Sequence, residues 1–135
     1  MKDSYKTAIT RKKESAPMRW LHDQDLLIGE CLDYGCGKGK DAEVYWMDKY
    51  DPHFHIMLPS KKYDTITCIY VLNVVDWLEE LTVMKKVKSF LKKDGVAYFV
   101  VRRDLKGDTK SQRCVKLPLP VIKETSGFCI YRMEK

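Results

Sequence analysis

From residue 15 onward the apolar positions fall into two rhythms, one of three to four residues and one nearly continuous, and the two alternate along the chain. Ser15 followed by Pro17, Met18, Trp20 and Leu21 predicts a helix that ends before Gly29. Serine offers an acceptor to the free N–H groups of a first turn, where proline is also tolerated because its missing donor is not needed. Residues 30–33 read as a short strand, residues 41–47 as a short helix, and residues 49–51 as a second short strand closed by Pro52, which cannot donate to a ladder. Residues 65–71 are β-branched or aromatic and almost uniformly apolar, as a central parallel strand buried on both faces should be.

After Asp76, the positions Leu78, Leu81, Met84, Val87, Phe90 and Leu91 recur at helical spacing, with Glu79 and Glu80 early and lysines late, an order that favours the helix dipole at both ends. Asp94-Gly95 is expected to end this helix tightly, and residues 96–101 form another buried strand. Beyond a charged loop at 104–113, residues 114–117 and 128–132 read as two antiparallel strands. Strands joined by helices imply right-handed crossovers, so the fold class is α/β: a three-layer design with a mostly parallel sheet and an antiparallel C-terminal edge. Ligands of such sheets bind beyond the carboxyl ends of the strands, where the strand order reverses.

Composition changes this picture little. With 135 residues, 44% hydrophobic and 33% charged, the chain matches one globular domain spanning residues 1–135, with residues 1–14 as a basic arm, and it is too rich in groups to bury for disorder. The apolar runs are short and the N-terminus is polar, which predicts a cytoplasmic protein without membrane association. Cys31, Cys36, Cys68, Cys114 and Cys129 form an odd set without a CxxC pair and read as buried thiols. The net charge of +6 favours acidic partners, nucleic acid among them, although many lysines fall on the outer face of the helix after Asp76. His53 and His55 lack a third ligand for a metal, and Trp20, Trp46 and Trp77 read as packing residues of helices.

The chemistry concentrates in Asp33-Tyr34-Gly35-Cys36-Gly37-Lys38-Gly39, three glycines at alternate positions between a strand and a helix. Glycine lets a backbone turn sharply and approach a ligand with no Cβ in the way. Asp33 is placed to accept from a ligand ammonium or to fix the loop, and Asp51 ends the next strand 18 residues later, where a carboxylate can take both hydroxyls of a ribose. A phosphate loop is disfavoured: no GxxxxGK followed by Ser or Thr occurs, and the acid before the glycines would repel a pyrophosphate.

This run resembles the first motif of the class I S-adenosylmethionine-dependent methyltransferases, an acid followed by alternating glycines. The likeness continues through Asp51-Pro52, through the strand from Tyr63-Asp64 to Val71-Leu72-Asn73, and through the turn Leu91-Lys92-Lys93-Asp94-Gly95. It implies a Rossmann-like fold with S-adenosylmethionine as cofactor. The implied binding residues are Asp33, Tyr34, Gly35, Cys36, Gly37, Asp51, Pro52, Tyr70, Val71 and Leu72; separately, Arg11 with Lys12 is expected to fold over the pocket and pair with the cofactor carboxylate, since a guanidinium suits bidentate carboxylate recognition. The N-terminal stretch 7–13 with Ser15-Ala16-Pro17, followed by the glycine motif, Asp51-Pro52 and Leu72-Asn73-Val74-Val75, also resembles a bacterial group of putative methyltransferases associated with DNA phosphorothioation.

Two departures stand out. Tyr63 follows Asp51 by only 12 positions, an interval in which family members usually fit a helix and a further strand, so the sheet is expected to be shortened at one edge. No Asn-Pro-Pro-Tyr segment follows the central strand, which disfavours methylation of an exocyclic base amine. Asn73 and Tyr70 are the candidate catalytic residues, the first through its amide and the second by shaping the methyl site, and Arg102, Arg103 and Asp104 are expected on the same side. Two readings stay open: a methyltransferase of undefined acceptor, or a protein that keeps the fold to bind the cofactor, nucleic acid or a partner without catalysis. The oligomeric state is undefined.

Overall fold

The computed structural model describes residues 12–135. Six strands form one sheet: β1 (Cys31–Tyr34), β2 (Asp48–Tyr50), β3 (Tyr63–Ile69), β4 (Leu91–Arg102), β5 (Val121–Glu124) and β6 (Phe128–Glu134). Their order is β2-β1-β3-β4-β6-β5, with β2, β1, β3 and β4 parallel and β6 and β5 antiparallel. Three helices cover it, α1 (Ala16–Asp23), α2 (Lys40–Val44) and α3 (Trp77–Ser89).

Side-chain alternation divides the core in two. On one face Met18 and Leu21 of α1 and Ala42 of α2 pack on Tyr98 and Val100 of β4 and Phe128 and Ile130 of β6. On the other, Val87 of α3 meets Ile66, Cys68, Ala97, Phe99 and Val101. The three layers and the mixed sheet are those the hydrophobic pattern calls for.

Capping fixes where the helices start and stop. The Ser15 hydroxyl accepts from Met18 N, and Asp76 accepts from Glu79 N at the start of α3. Both α1 and α2 end in the same left-handed turn. Leu26 N donates to Leu21 O (3.0 Å) past Asp25, and Met47 N donates to Ala42 O (2.8 Å) past Trp46. This stops α2 at Val44, short of the expected residue 47.

Four further expectations change. Residues 114–117 are not a strand: Val115 and Leu117 are buried and Lys116 is exposed, as in a strand, but the segment lies over the α3 face of the sheet and β5 is the edge strand in its place. A buried alternation records only that one side of a segment faces a core, and here that core is a sheet face and not a sheet edge. Leu91 already pairs with Tyr63, so α3 ends at Ser89 and Asp94-Gly95 makes an irregularity inside β4 instead of terminating the helix. Trp46 and Trp77 are not packing residues, being 95% and 62% exposed. Of the thiols, Cys68 and Cys129 are buried while Cys114 is exposed. Among the described residues no helix is long and apolar enough to cross a membrane.

Trp46 combines a φ of +59° with nearly full exposure, at a position where a Cβ is unfavourable and nothing is gained by burying the ring. Trp46→Gly is expected to raise stability by roughly 1 kcal/mol and the melting temperature by a few degrees. Urea unfolding checks this, and a loss of stability would show that the indole makes contacts worth more than the strain.

Candidate functional site

The chain leaves β1 toward β2 on one side and returns to β3 on the other, so the order reverses between β1 and β3. Above that point opens a cleft of about 500 Å³. Its walls are the turn after β1 (residues 34–39), Asp51 and Pro52 after β2, Ile69, Tyr70, Val71, Val74 and Val75 at and after the end of β3, and one side of α3. This is where a doubly wound sheet leaves space for a ligand, because the loops on either side of the reversal diverge.

The glycine turn is tied to the end of β2. Gly35 N and Cys36 N both donate to Tyr50 O, at 2.7 and 3.0 Å, and Gly37 N donates to a carboxylate oxygen of Asp51 at 2.8 Å. Three successive N–H groups are thus used internally, and the loop does not form the cradle of free donors that a phosphate requires. Gly35 has a φ of +78°, and a Cβ there would lie 2.3 Å from Cγ2 of Val71, so its absence lets the turn press against the end of β3.

Carboxylates supply most of the polar character beneath this turn. Asp33, 3% exposed, accepts from the Thr67 hydroxyl at 2.9 Å. Burial, with Asp41 and Asp51 nearby, raises its pKa to about 7, the Thr67 bond opposing this. Asp41 clamps the start of α1: its two oxygens accept from Ser15 N and Ser15 Oγ, each at 2.6 Å. Asp51 also accepts from His53 N at 2.9 Å and Phe54 N at 3.2 Å. Burial first, then Asp33 and Asp51, push the Cys36 thiol up to about 12, which leaves it a neutral wall of the cleft at physiological pH.

The expected site residues separate on this geometry. Asp33, Tyr34, Gly35, Cys36, Gly37, Asp51, Pro52, Tyr70 and Val71 all line the cleft. Leu72 is fully buried and lies behind the wall, in the core under α3. Arg11 lies outside the described residues. Tyr70 is half-buried with a φ of +59°, and its N–H donates to Val100 O at 2.8 Å. A left-handed tyrosine is strained, and it is held here by the neighbouring strand. Asn73 is fully buried: its amide oxygen accepts from Arg102 N (2.9 Å) and its amide nitrogen donates to Arg113 O (2.7 Å). That amide joins the ends of β3 and β4 to the following loop and does not reach the cleft. Arg102 pairs with Asp104 and Arg103 with Glu124, both away from the cleft lining.

Sequence reasoning missed Asp41 and Arg113, and read Ser15 as a helix cap without its place in the cleft lining. Arg113 donates to the carbonyls of Leu72 (3.0 Å) and Val75 and pairs with Glu80 at 2.9 Å, fastening the segment after β4 to the 3₁₀ turn (Leu72–Val74) and to α3. Nothing local marks it among the chain's other arginines. Asp41 carried one signal, a carboxylate in the first turn of a helix.

Comparison with known proteins places this geometry. A family model described as a methyltransferase domain matches residues 9–129. The chain belongs to this methyltransferase family. Among solved structures, the N-methyltransferase NodS from Bradyrhizobium japonicum WM9 superimposes with a TM-score of 0.58 at 11% identity, over 89% of this chain and 97% of that one. Magnesium protoporphyrin IX methyltransferase (ChlM) from Synechocystis PCC 6803, solved with bound SAM, gives a TM-score of 0.56 at 11% identity, over 98% of this chain and 90% of that one. At such identity the likeness is one of fold. No curated protein sequence matches the chain.

In this methyltransferase domain the buried acid has a measurable signature. Because the folded-state pKa of Asp33 lies above its ordinary value of 3.8, the native state holds a proton that the unfolded state has lost between about pH 4 and pH 7. The Asp33 contribution therefore makes stability fall as pH rises through that window and level off above it. Asp33→Asn, which keeps an acceptor for Thr67, is expected to remove this component, so the wild-type minus variant difference should slope downward from pH 4 to 7. A flat difference would show that Asp33 titrates normally. Gly35→Ala is expected to cost roughly 2–4 kcal/mol, from the left-handed backbone and the collision with Val71 together, as read by chemical denaturation.

Proposed function

We propose that the chain is a single-domain S-adenosylmethionine-dependent methyltransferase that binds its cofactor in the cleft between the ends of β1 and β3. The observation that carries this reading is the inward-turned glycine loop above Asp33, Asp41 and Asp51. A loop whose N–H groups are already used, over buried carboxylates, repels phosphate and attracts a cation. S-adenosylmethionine supplies a methyl group on a positively charged sulfur and carries an ammonium besides, so the residues present fit it. Asp33 faces the cationic half of the ligand; Asp51, with three backbone donors already on it, braces the turn and offers its remaining acceptor site to the ribose. Tyr70, at the end of β3, borders the space where an acceptor would meet the methyl group. Positioning alone supplies much of the rate in such a transfer, so no catalytic triad is required.

The similarity of residues 7–13 and 15–17 to phosphorothioation-associated methyltransferases, with the charge of +6, supports an acceptor connected with nucleic acid. A second reading, cofactor binding without transfer, draws on Asn73, whose amide is engaged by backbone on both sides and is not available to orient an acceptor.

Titration calorimetry of the purified chain with S-adenosylmethionine tests the reading. Binding is expected, weakened at least tenfold by Asp33→Asn and by Asp51→Ala, and stronger at pH 8 than at pH 6 because a cation prefers ionised Asp33. Absence of binding would remove the cofactor, and binding indifferent to both substitutions would remove the site.

A further inference from the structure

The cleft is longer than its acidic end. It continues along α3, where Leu78, Thr82, Val83 and Lys86 form one wall at helical spacing, over a floor made by Tyr34 and Tyr50. The two tyrosine rings are 4.9 Å apart at 36°, and Tyr34 is held from below by Phe90 at 6.4 Å. Val71, Val74 and Val75 close the side toward β3. Leu78 is 59% exposed although it lines this concavity, because among the described residues α3 has no helix beside it over β1 and β2. The short connection from Asp51 to Tyr63 is the cause: it holds no helix that could cover the half-buried Tyr50, while Tyr34 beneath it is already buried.

The cleft is therefore bipolar, with Asp33 and Asp41 at one end and, at the other, a mostly apolar, aromatic-floored slot that Glu79 and Lys86 also border. An apolar slot floored by rings and walled by aliphatic groups suits a planar heterocycle, which stacks on tyrosine and excludes water from leucine and valine.

We infer that the slot between α3 and Tyr34–Tyr50 holds the purine of the ligand, so that Leu78, Thr82 and Val83 on α3 form the base-binding wall that the shortened β2–β3 connection does not provide. The inference rests on the cofactor reading above and extends it to residues of α3. It makes α3 a determinant of nucleoside recognition and not only a cover for the sheet. The Thr82 hydroxyl donates to Leu78 O at 3.2 Å and is thus already engaged within α3.

Leu78 and Thr82 are both exposed, so substitutions there leave the core intact, which unchanged thermal unfolding would verify. Calorimetry would compare the full chain with Leu78→Ala, which opens the slot, and Thr82→Trp, which fills it, using S-adenosylmethionine and adenosine as ligands. Leu78→Ala is expected to weaken both ligands about tenfold, the loss of part of a leucine contact, and Thr82→Trp to weaken both further. Asp33→Asn is expected to weaken S-adenosylmethionine while leaving adenosine nearly unchanged, since only the former carries the cation. Wild-type binding of S-adenosylmethionine that ignores both α3 substitutions overturns the slot and leaves the cofactor reading standing. Adenosine binding that responds to both substitutions, in a chain that does not bind S-adenosylmethionine, keeps the slot and overturns the cofactor reading. Failure of both ligands to bind overturns both.

Discussion

Two hydrogen bonds from Gly35 and Cys36 to Tyr50 O, and a third from Gly37 to Asp51, fold the turn after β1 back onto the end of β2. Much of the site depends on this closure. It brings Gly35 against Val71 and so joins the ends of three strands, β2, β1 and β3, at one level. It also engages three successive donors of the loop internally, so they are not free to meet an anion in the cleft. A glycine loop of the same composition with its N–H groups outward would be an anion site.

Burial of carboxylates beneath that loop is the accompanying cost. Asp41 and Asp51 are each compensated by two or three donors, whereas Asp33 has one hydroxyl. The incomplete compensation is localised on the one acid that lies deepest, and a buried group that the fold leaves short of partners is where a ligand gains most by supplying one.

Much of this was legible in the residues. The period of the apolar positions gave the order of strands and helices, because a strand buried on both faces and an amphipathic helix have different rhythms whatever surrounds them. The residues from Asp33 to Gly37 with Asp51, which line the cleft, could be read together because their spacing is local to one turn and one strand end. What could not be read depends on contacts distant in sequence. Asn73 looks like a free amide until β4 and the 113 region close on it, 29 and 40 residues away. Residues 114–117 alternate like a strand because they pack on a sheet, a neighbour their own pattern cannot name. Trp46 and Trp77 were misjudged for a related reason: an aromatic ring in a helical pattern implies a packing partner, and the short β2–β3 connection leaves fewer elements to provide one.

The clamp of Asp41 on Ser15 has a consequence for how the two halves of the molecule communicate. Ser15 is at once the cap of α1 and a lining residue of the cleft, and Asp41 holds it by both main chain and side chain. Any ligand that redistributes the charge of Asp41 therefore also tightens or loosens the first turn of a helix whose Met18 and Leu21 anchor one entire face of the sheet. Thermodynamic reciprocity then requires that whatever happens to α1 from outside, whether a contact, a modification or a neighbour pulling on the chain before Ser15, alters affinity in the cleft by the same factor. The cleft and the first turn of α1 share one carboxylate.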